Sequence, residues 1–399
     1  MYHEEIVARR LHQVQKGIPF ELKRFDVGDS LDIQHNMPDW NEDKKQPVRQ
    51  LKDYEQQFII NEVAMCTWDF RYWMDRYSKV MTPDGRLVTI ELWDAQETGL
   101  LHISNGEKLA WEEGRSNGWV WCKCRQAGAT QLAQNIMVQR LVFHENQRGV
   151  MASDAPTGSQ VLRRRFNDIM DGLPWWMYPS IKDNVKTTEG EAIHFDELNS
   201  TLVVGHGRKM GGGIAQGNTT NVFHFTELPD WENYEQIDAD FMPTFHLFPN
   251  NIGIHESTAR VRDDHWHDMF TRSWEGRDPK LRALFIPVYL NSLYVMNPPT
   301  NWIPRKATTD WAAHVLKTSP TYCFGKAFVV TKEQMYWWEA NYVNFKKSGN
   351  LATFYSEYPT DHFEAFQHRT IGMFGNELIN EMQKRLKPFQ VYHMPSAID

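Results

Sequence analysis

Residues Trp119–Gln131 read WVWCKCRQAGATQ: an apolar, strand-like run, a short polar loop, then a helix-forming segment. This is the local plan of a phosphate-binding loop, in which amides at a helix start point oriented donors and a positive dipole end at an anion. Aligned to G-x-x-x-x-G-K-S/T, the loop runs Lys123-Cys124-Arg125-Gln126-Ala127-Gly128-Ala129-Thr130. Gly128 stands where backbone must approach phosphate closely, and Thr130 where a hydroxyl binds Mg²⁺. Gln126, Ala127 and Ala129 complete the cofactor-binding set, yet Ala129 occupies the position that usually holds a lysine. The missing cation then has to come from Lys123 or Arg125, folded back over the phosphates. A glycine turn after a strand is common, so the loop alone leaves open a working variant, a dead site and an accidental turn.

The chain around it has 399 residues, 41% hydrophobic and 13% aromatic, enough for one large core or two modest ones. Its formal net charge of −8 argues against a bulk nucleic-acid coat, although a local basic channel is compatible with it. Cys122 and Cys124 are spaced too tightly for a usual zinc site, and no second pair accompanies them. Together with Cys66 and Cys323 they read as reduced thiols of a cytoplasmic protein. The polar N-terminus has no apolar signal core and no apolar run reaches spanning length, so neither secretion nor membrane insertion is expected.

Along the chain, residues 1–55 are polar and read as an arm or linker. Large apolar residues recur at helical spacing from Phe58 to Tyr77, Pro83-Asp84-Gly85 makes a turn, and Arg86–Trp93 alternates like a strand. Strands are expected at Trp119–Cys122, Gly149–Ala152, Leu202–Val204, Val222–Phe225 and Asn251–His255. A helix over Thr130–His144 carries Ala133, Ile136, Met137 and Leu141 on one face. This alternation predicts an α/β fold with a mainly parallel sheet covered on both sides. A core over 56–295 would then be followed, after the proline-rich NPPTNWIP, by a C-terminal subdomain over 296–399 that includes a helix at Lys332–Lys347.

Three further segments fit a nucleotide motor. Asn221–Trp231 (NVFHFTELPDW) ends an apolar run in Glu227, whose carboxylate would polarise an attacking water. Thr226 occupies the usual Mg²⁺-aspartate position, acting on the ion through water. Asn251–Arg260 (NIGIHESTAR) carries Ser257 and Thr258, hydroxyls that would sense the γ-phosphate. Gln96, in LWDAQ, would read the adenine edge.

The order of these segments resembles the large terminase subunit of tailed bacteriophages. RQAGAT (Arg125–Thr130) is similar to that family's R-Q-x-G-x-S/T loop, and Lys123 to the displaced lysine of lambda-like terminases. VFHFTELPDWEN, the E-S-T-A stretch at Glu256–Ala259, ALFIPVY and LATFYSEYPTDHFEAF resemble successive family blocks, so the likeness runs from about Phe58 to Phe374. The resemblance implies a RecA-like, additional-strand P-loop ATPase that uses ATP and Mg²⁺. It would work as a homo-oligomeric ring at the portal of a procapsid in the host-cell cytoplasm, driving double-stranded DNA inside, with a portal protein and a small terminase subunit as partners. Lys123 and Arg125 would neutralise phosphate charge, Thr130 would bind Mg²⁺, Glu227 would be the catalytic base, Ser257 and Thr258 would couple hydrolysis to movement, and Gln96 would contact adenine.

The family usually carries an RNase H-like nuclease domain after the motor, and too few residues follow Phe366 for that fold. No nuclease activity is therefore expected of this sequence: either it is the motor portion with the nuclease removed, or the nuclease is a separate polypeptide. A trans-acting arginine is expected before the acidic strand, where GHGRKMGGGIAQGN offers Arg208 beside Lys209. Arg163-Arg164-Arg165 is a second cluster, suited to a DNA channel or a subunit contact, but read preferentially as a solvated helix face. His265 and His267 stand two apart, a spacing that suits a strand or loop rather than a helix, and are not assigned to a metal. Trp337 and Trp338, at helical spacing with Tyr342 and Phe345, read as packing. Two other readings compete with the packaging motor: another nucleic-acid translocase, and a catalytically silent adaptor, to which Ala129 and Thr226 lend support.

Overall fold

In the computed structural model, which describes residues 32–41, 46–82, 84–179, 181–186, 191–207, 219–260 and 262–367, a helical turn over 32–35 precedes short antiparallel pairings. Trp40–Asn41 (β1) pairs with Gln46–Pro47 (β2). After helices α1 (Asp53–Trp68) and α2 (Phe70–Tyr77), Lys79–Met81 (β3) pairs with Leu87–Thr89 (β4). The single helical run expected over Phe58–Tyr77 is thus divided: Asp69 is extended, and its carboxylate caps α2 by accepting from the Tyr72 amide at 3.0 Å. The strand expected over Arg86–Trp93 shrinks to β4, because α3 (Asp94–Glu113) starts immediately afterwards. The described part of the presumed arm is fastened to the body. Trp40 stacks on Trp175 at 5.2 Å, and Gln34 Nε2 donates to the Tyr77 hydroxyl at 2.9 Å.

Strand and helix then alternate: β5 (Asn117–Lys123), α4 (Ala129–Phe143), β6 (Arg148–Ser153), α5 (Pro156–Asp171), β7 (Ile181–Lys186), β8 (Glu191–Phe195), β9 (Ser200–His206), β10 (Val222–Thr226), α6 (Tyr234–Phe241), β11 (Ile252–Ser257), α7 (His265–Trp274) and β12 (Leu281–Ile286). The strands form one sheet in the order β12-β5-β11-β10-β6-β9-β8-β7. Pairing is parallel from β12 through β9, and β8 and β7 extend that edge antiparallel. The mainly parallel sheet expected from the sequence is present, and β11 lies between β5 and β10.

Period-two alternation sends Trp119 and Trp121 of β5 into the core beneath α3, α4 and α5. Val120 and Cys122 go into a second core with Phe223, Phe225 and Phe270 beneath α6 and α7. Helix α4 is buried all round rather than on the single face expected, because it lies between the sheet and α1–α3. Its polar side chains are accordingly paired: Gln139 Nε2 donates to the Cys66 and Thr67 carbonyls at 2.8 Å, and Arg140 pairs with Glu107. Helices α8 (Lys306–Thr318), α9 (Lys332–Lys347), α10 (Leu351–Glu357) and α11 (His362–Ala365) follow β12. Trp338 stacks between Trp311 and Tyr342 at 4.9 and 4.8 Å, and joins the same core as Trp121 and Ile286. No described helix is long and apolar enough to cross a membrane.

His265 and His267 occupy the first turn of α7, not a strand or loop, and their partners lie apart. His267 faces Asp263, whereas His265 and the buried His255 each lie 3.4 Å from an oxygen of Asp238. Burial would raise the Asp238 carboxyl, but the two rings carry it down to about 2, and Asp238 in turn raises His265 above 6.5. Asp238 contributes stability above its unfolded pKa of 3.8, lost as pH falls through about 2. His265 contributes below 6.5, and its share is lost as pH rises through its raised value. The pair is therefore most stabilising between those unfolded values. Urea midpoints across pH 5–8 should fall with pH in the wild type and flatten in His265→Gln.

Candidate functional site

The carboxyl ends of parallel strands are where α/β sheets hold ligands, and here β5, β10 and β11 end together. Lys123 closes β5, Thr226 closes β10 with Glu227 just beyond, and Glu256 and Ser257 close β11. After Lys123 the loop is strapped down by later parts of the chain. The amides of Cys124 and Arg125 donate to the Ile286 and Glu357 carbonyls at 2.8 Å, and Asn291 Nδ2 donates to the Gln126 carbonyl at 3.0 Å. The buried Cys124 thiol is pushed up to about 12 by desolvation. The chain then turns through Gln126 (φ +52°) and Gly128 (φ +73°) into α4. The amides of Ala129, Thr130 and Gln131 have no intrahelical acceptor there.

These residues line a cleft of about 900 Å³. Lys123 and Gln126–Gln131 form one wall, Arg164, Arg165 and Asp168 of α5 stand on another, and Val80, Ile90 and Trp93 supply an apolar end. Gln96 also lines it, but both amide atoms are engaged. Its Oε1 accepts from the Trp93 amide at 3.0 Å, and its Nε2 donates to the Gly128 carbonyl at 3.1 Å. Instead of a free amide poised to read adenine, Gln96 braces the loop. A Cβ on Gly128 would meet Gln96 Nε2 at 2.6 Å. Gly128→Ala combines that clash with a positive φ, and is expected to cost about 1–3 kcal/mol of stability. Adding Gln96→Ala should relieve only the steric part, as urea unfolding of the single and double variants will show.

The chemistry concentrates behind Lys123. Its Nζ lies 3.2 Å from Glu256 Oε2 and 3.7 Å from Glu227 Oε1, and Thr130 donates its hydroxyl to Glu256 Oε1 at 2.8 Å. Burial alone would lower the Lys123 pKa, but the two carboxylates hold it above the ordinary lysine range. For Glu256 burial is likewise outweighed, first by Lys123 and then by hydrogen bonds involving His224 and Thr226, and its pKa is strongly lowered. Glu227 moves the other way: desolvation raises it, Lys123 opposes, and the Glu256 charge adds to the rise. One carboxylate is thus locked as an anion while its neighbour is tuned toward accepting a proton. Glu227 also holds a left-handed backbone (φ +55°), a strained conformation of the kind concentrated at working sites.

Ser257 donates to Glu227 Oε2 at 3.3 Å, and Thr258 accepts from Arg260 Nη1 at 2.5 Å. Arg260 further pairs with Asp230 at 3.0 Å and with Glu357 at 3.4 Å, and lies 3.7 Å from Glu227. Arg125 is turned away from the cleft, against Glu357 at 2.6 Å, so its expected place over the phosphates is not the one it takes. Thr226 is buried beside Glu256. Arg208 and Lys209 lie outside the described residues. Arg163 pairs with Glu191 at 3.3 Å; Arg164 and Arg165 both line the cleft, Arg164 exposed, as a solvated face would have it, and Arg165 half-buried, contrary to that reading. Glu256, Arg260, Glu357, Arg164 and Arg165 were thus not assigned to the site from sequence. Glu256 and Arg260 were nonetheless within NIGIHESTAR, and Glu357 within the E-Y-P segment.

No family model and no curated protein matches the chain. Solved structures are similar to it. One is the large terminase of bacteriophage HK97, with a TM-score of 0.48 at 12% identity over 74% of this chain and 55% of that one. Another is the large terminase ATPase domain of Thermus phage P74-26, with a TM-score of 0.39 at 12% identity over 61% and 88% of the two chains. A third is the large terminase of a thermophilic bacteriophage in complex with ATP-γ-S, with a TM-score of 0.36 at 12% identity over 60% and 52%. These neighbours are phage large terminases. The chain spans about half, 55%, of the length of the HK97 protein.

Proposed function

We propose that this chain is an ATP-hydrolysing motor that translocates double-stranded viral DNA into a procapsid, the ATPase portion of a terminase large subunit. The observation that supports it best is the convergence of Lys123 and Thr130, from the two ends of one loop, with Glu227, from the end of a distant strand, behind one cleft floored by that glycine-bearing loop. The E-Y-P segment reaches that loop through Glu357, which accounts physically for a motif so distant in sequence. Val80, Ile90 and Trp93 would hold the base of ATP, and the loop Gln126–Thr130 its phosphates. Arg164 and Arg165 face the phosphates from α5, and Lys123 reaches them from below.

The donor set also fits Mg²⁺, since the Thr130 hydroxyl and a buried carboxylate lie 2.8 Å apart. When bound, the ion neutralises charge developing on the transferred phosphoryl oxygens. Glu227 takes the proton of the attacking water. Ser257, bonded to Glu227, is placed to sense the loss of the γ-phosphate. The Arg260–Glu357–Arg125 chain carries that change to the helices after β12. The core over 56–295 and the subdomain over 296–399 act together, and a neighbour in a homo-oligomeric ring supplies an arginine, for which Arg208 is the candidate. The portal protein and small terminase subunit are the partners at the procapsid vertex, in the host-cell cytoplasm.

The test is ATP turnover over a wide range of protein concentration, with and without double-stranded DNA, for wild type beside Glu227→Gln. Turnover that rises faster than linearly and vanishes in the variant supports a site completed between subunits. Nucleotide binding without turnover under any condition, DNA and portal included, transfers support to the silent adaptor. Absence of binding overturns the nucleotide reading itself.

A further inference from the structure

Position 226 carries a hydroxyl where a nucleotide motor normally has the aspartate that faces its metal ion. The sheet register puts a carboxylate directly beside it. β10 pairs with β11 so that Thr226 is opposite Glu256, which points both side chains to the same face. Glu256 is fully buried, accepts the Thr130 hydroxyl at 2.8 Å, and is hydrogen-bonded by Thr226. Among the described residues, no hydrogen bond of good geometry reaches its Oε2, which faces the Lys123 ammonium at 3.2 Å.

We propose that Glu256 is the carboxylate that faces nucleotide-bound Mg²⁺, shifted one strand sideways from position 226, and that the ion replaces Lys123 as its counter-charge. The assignment rests on the nucleotide-binding reading above. The charge balance supports it. One lysine serves two carboxylates, and Arg260, 3.7 Å from Glu227, is shared with Asp230 and Glu357. Immediately around Lys123, two carboxylates face one ammonium, and the fully buried one, Glu256, is costly to leave under-neutralised. A divalent cation against Thr130 and Glu256 removes that deficit with the hard oxygen ligands Mg²⁺ prefers. It also places positive charge next to the Lys123 ammonium, releasing it toward the phosphates. The lysine displaced from position 129 and the carboxylate displaced from position 226 thereby form one paired rearrangement: each stands one strand or one loop away from its usual place, and each is neutralised by the other until the nucleotide arrives.

The experiment is titration of ADP into the full chain in excess EDTA and again with Mn²⁺, with electron paramagnetic resonance counting the bound ion. In the wild type Mn²⁺ is expected to tighten ADP binding. In Glu256→Gln that tightening should fall by about 10–100-fold, while ADP still binds in EDTA, because Lys123 retains Glu227 as partner. Thr226→Asp combined with Glu256→Gln returns a carboxylate to the neighbouring strand and should restore the Mn²⁺ effect. Should Glu256→Gln fail to fold, Glu256→Asp withdraws the carboxylate by one methylene and should show the same loss. Wild-type Mn²⁺ tightening in a folded Glu256 variant overturns this assignment and leaves the nucleotide site standing. A wild type that binds ADP in neither condition overturns both.

Discussion

Glu227→Gln is expected to lower ATP turnover by about 10²–10⁴-fold, the usual worth of a positioned general base, while ATP binding is kept or tightened. The variant preserves shape and can still accept the Ser257 hydrogen bond, now 3.3 Å, but it cannot take a proton from water. It also removes a negative charge 3.7 Å from Lys123, which leaves the ammonium freer to meet the phosphates. The raised pKa of Glu227 is part of the expectation: desolvation and the Glu256 charge make it a stronger proton acceptor than an exposed glutamate. Single-turnover hydrolysis beside equilibrium nucleotide binding is the check. Equal turnover in variant and wild type removes Glu227 from the chemistry.

Lys123→Ala should abolish turnover and also unsettle the fold. It strips the shared cation from two carboxylates, one of them fully buried, and breaking such a pair costs about 3–5 kcal/mol. The pH dependence gives the sign. In the wild type the Glu256 pKa is lowered, so its contribution is present above the unfolded value of 4.5 and is lost as pH falls through the folded one. Without Lys123 the main cause of that lowering is gone, and burial raises Glu256 instead. The variant then loses stability as pH rises above 4.5. The gap between wild type and Lys123→Ala should therefore be wide at pH 7 and narrow toward pH 4.5 in urea unfolding. Lys123 itself, raised above 10.5, titrates outside that window. Lys123→Ala with Glu256→Gln should recover much of the lost stability without recovering turnover, since the two residues share one interaction. A gap independent of pH, or no recovery in the double variant, separates the stability loss from the ion pair.

Much of the fold was legible because it is written in local terms. Continuous apolar runs marked the parallel strands, and the Thr331 cap with Gln334 started α9 where the sequence placed it. The loop was legible too, because a glycine before a helix start is a backbone requirement that Gly128 meets at φ +73°. The errors have equally local causes. Asp69 divides one apparent helix because a carboxylate that caps competes with helix continuation. The β7–β8 extension was missed because its strands, IKDNVK and EAIHF, interleave polar residues instead of forming the continuous apolar runs that marked the parallel strands. Arg165 looked like part of a solvated face because three adjacent arginines point in different directions, and only the seating of α5 on the sheet decides that Arg164 stays exposed while Arg165 is half-buried along the cleft.

By itself the sequence determined the alternation of strand and helix, the glycine turn that leads from β5 into α4, and the glutamate just beyond β10, because each depends on neighbours within a few residues. Tertiary structure alone decided the charge arrangement. That Glu256 stands opposite Thr226, that it shares Lys123 with Glu227, and that Glu357 joins Arg125 to Arg260 follow from strand order and register. Electrostatic partners are chosen by distance through space in a desolvated setting, and separation along the chain does not encode that distance.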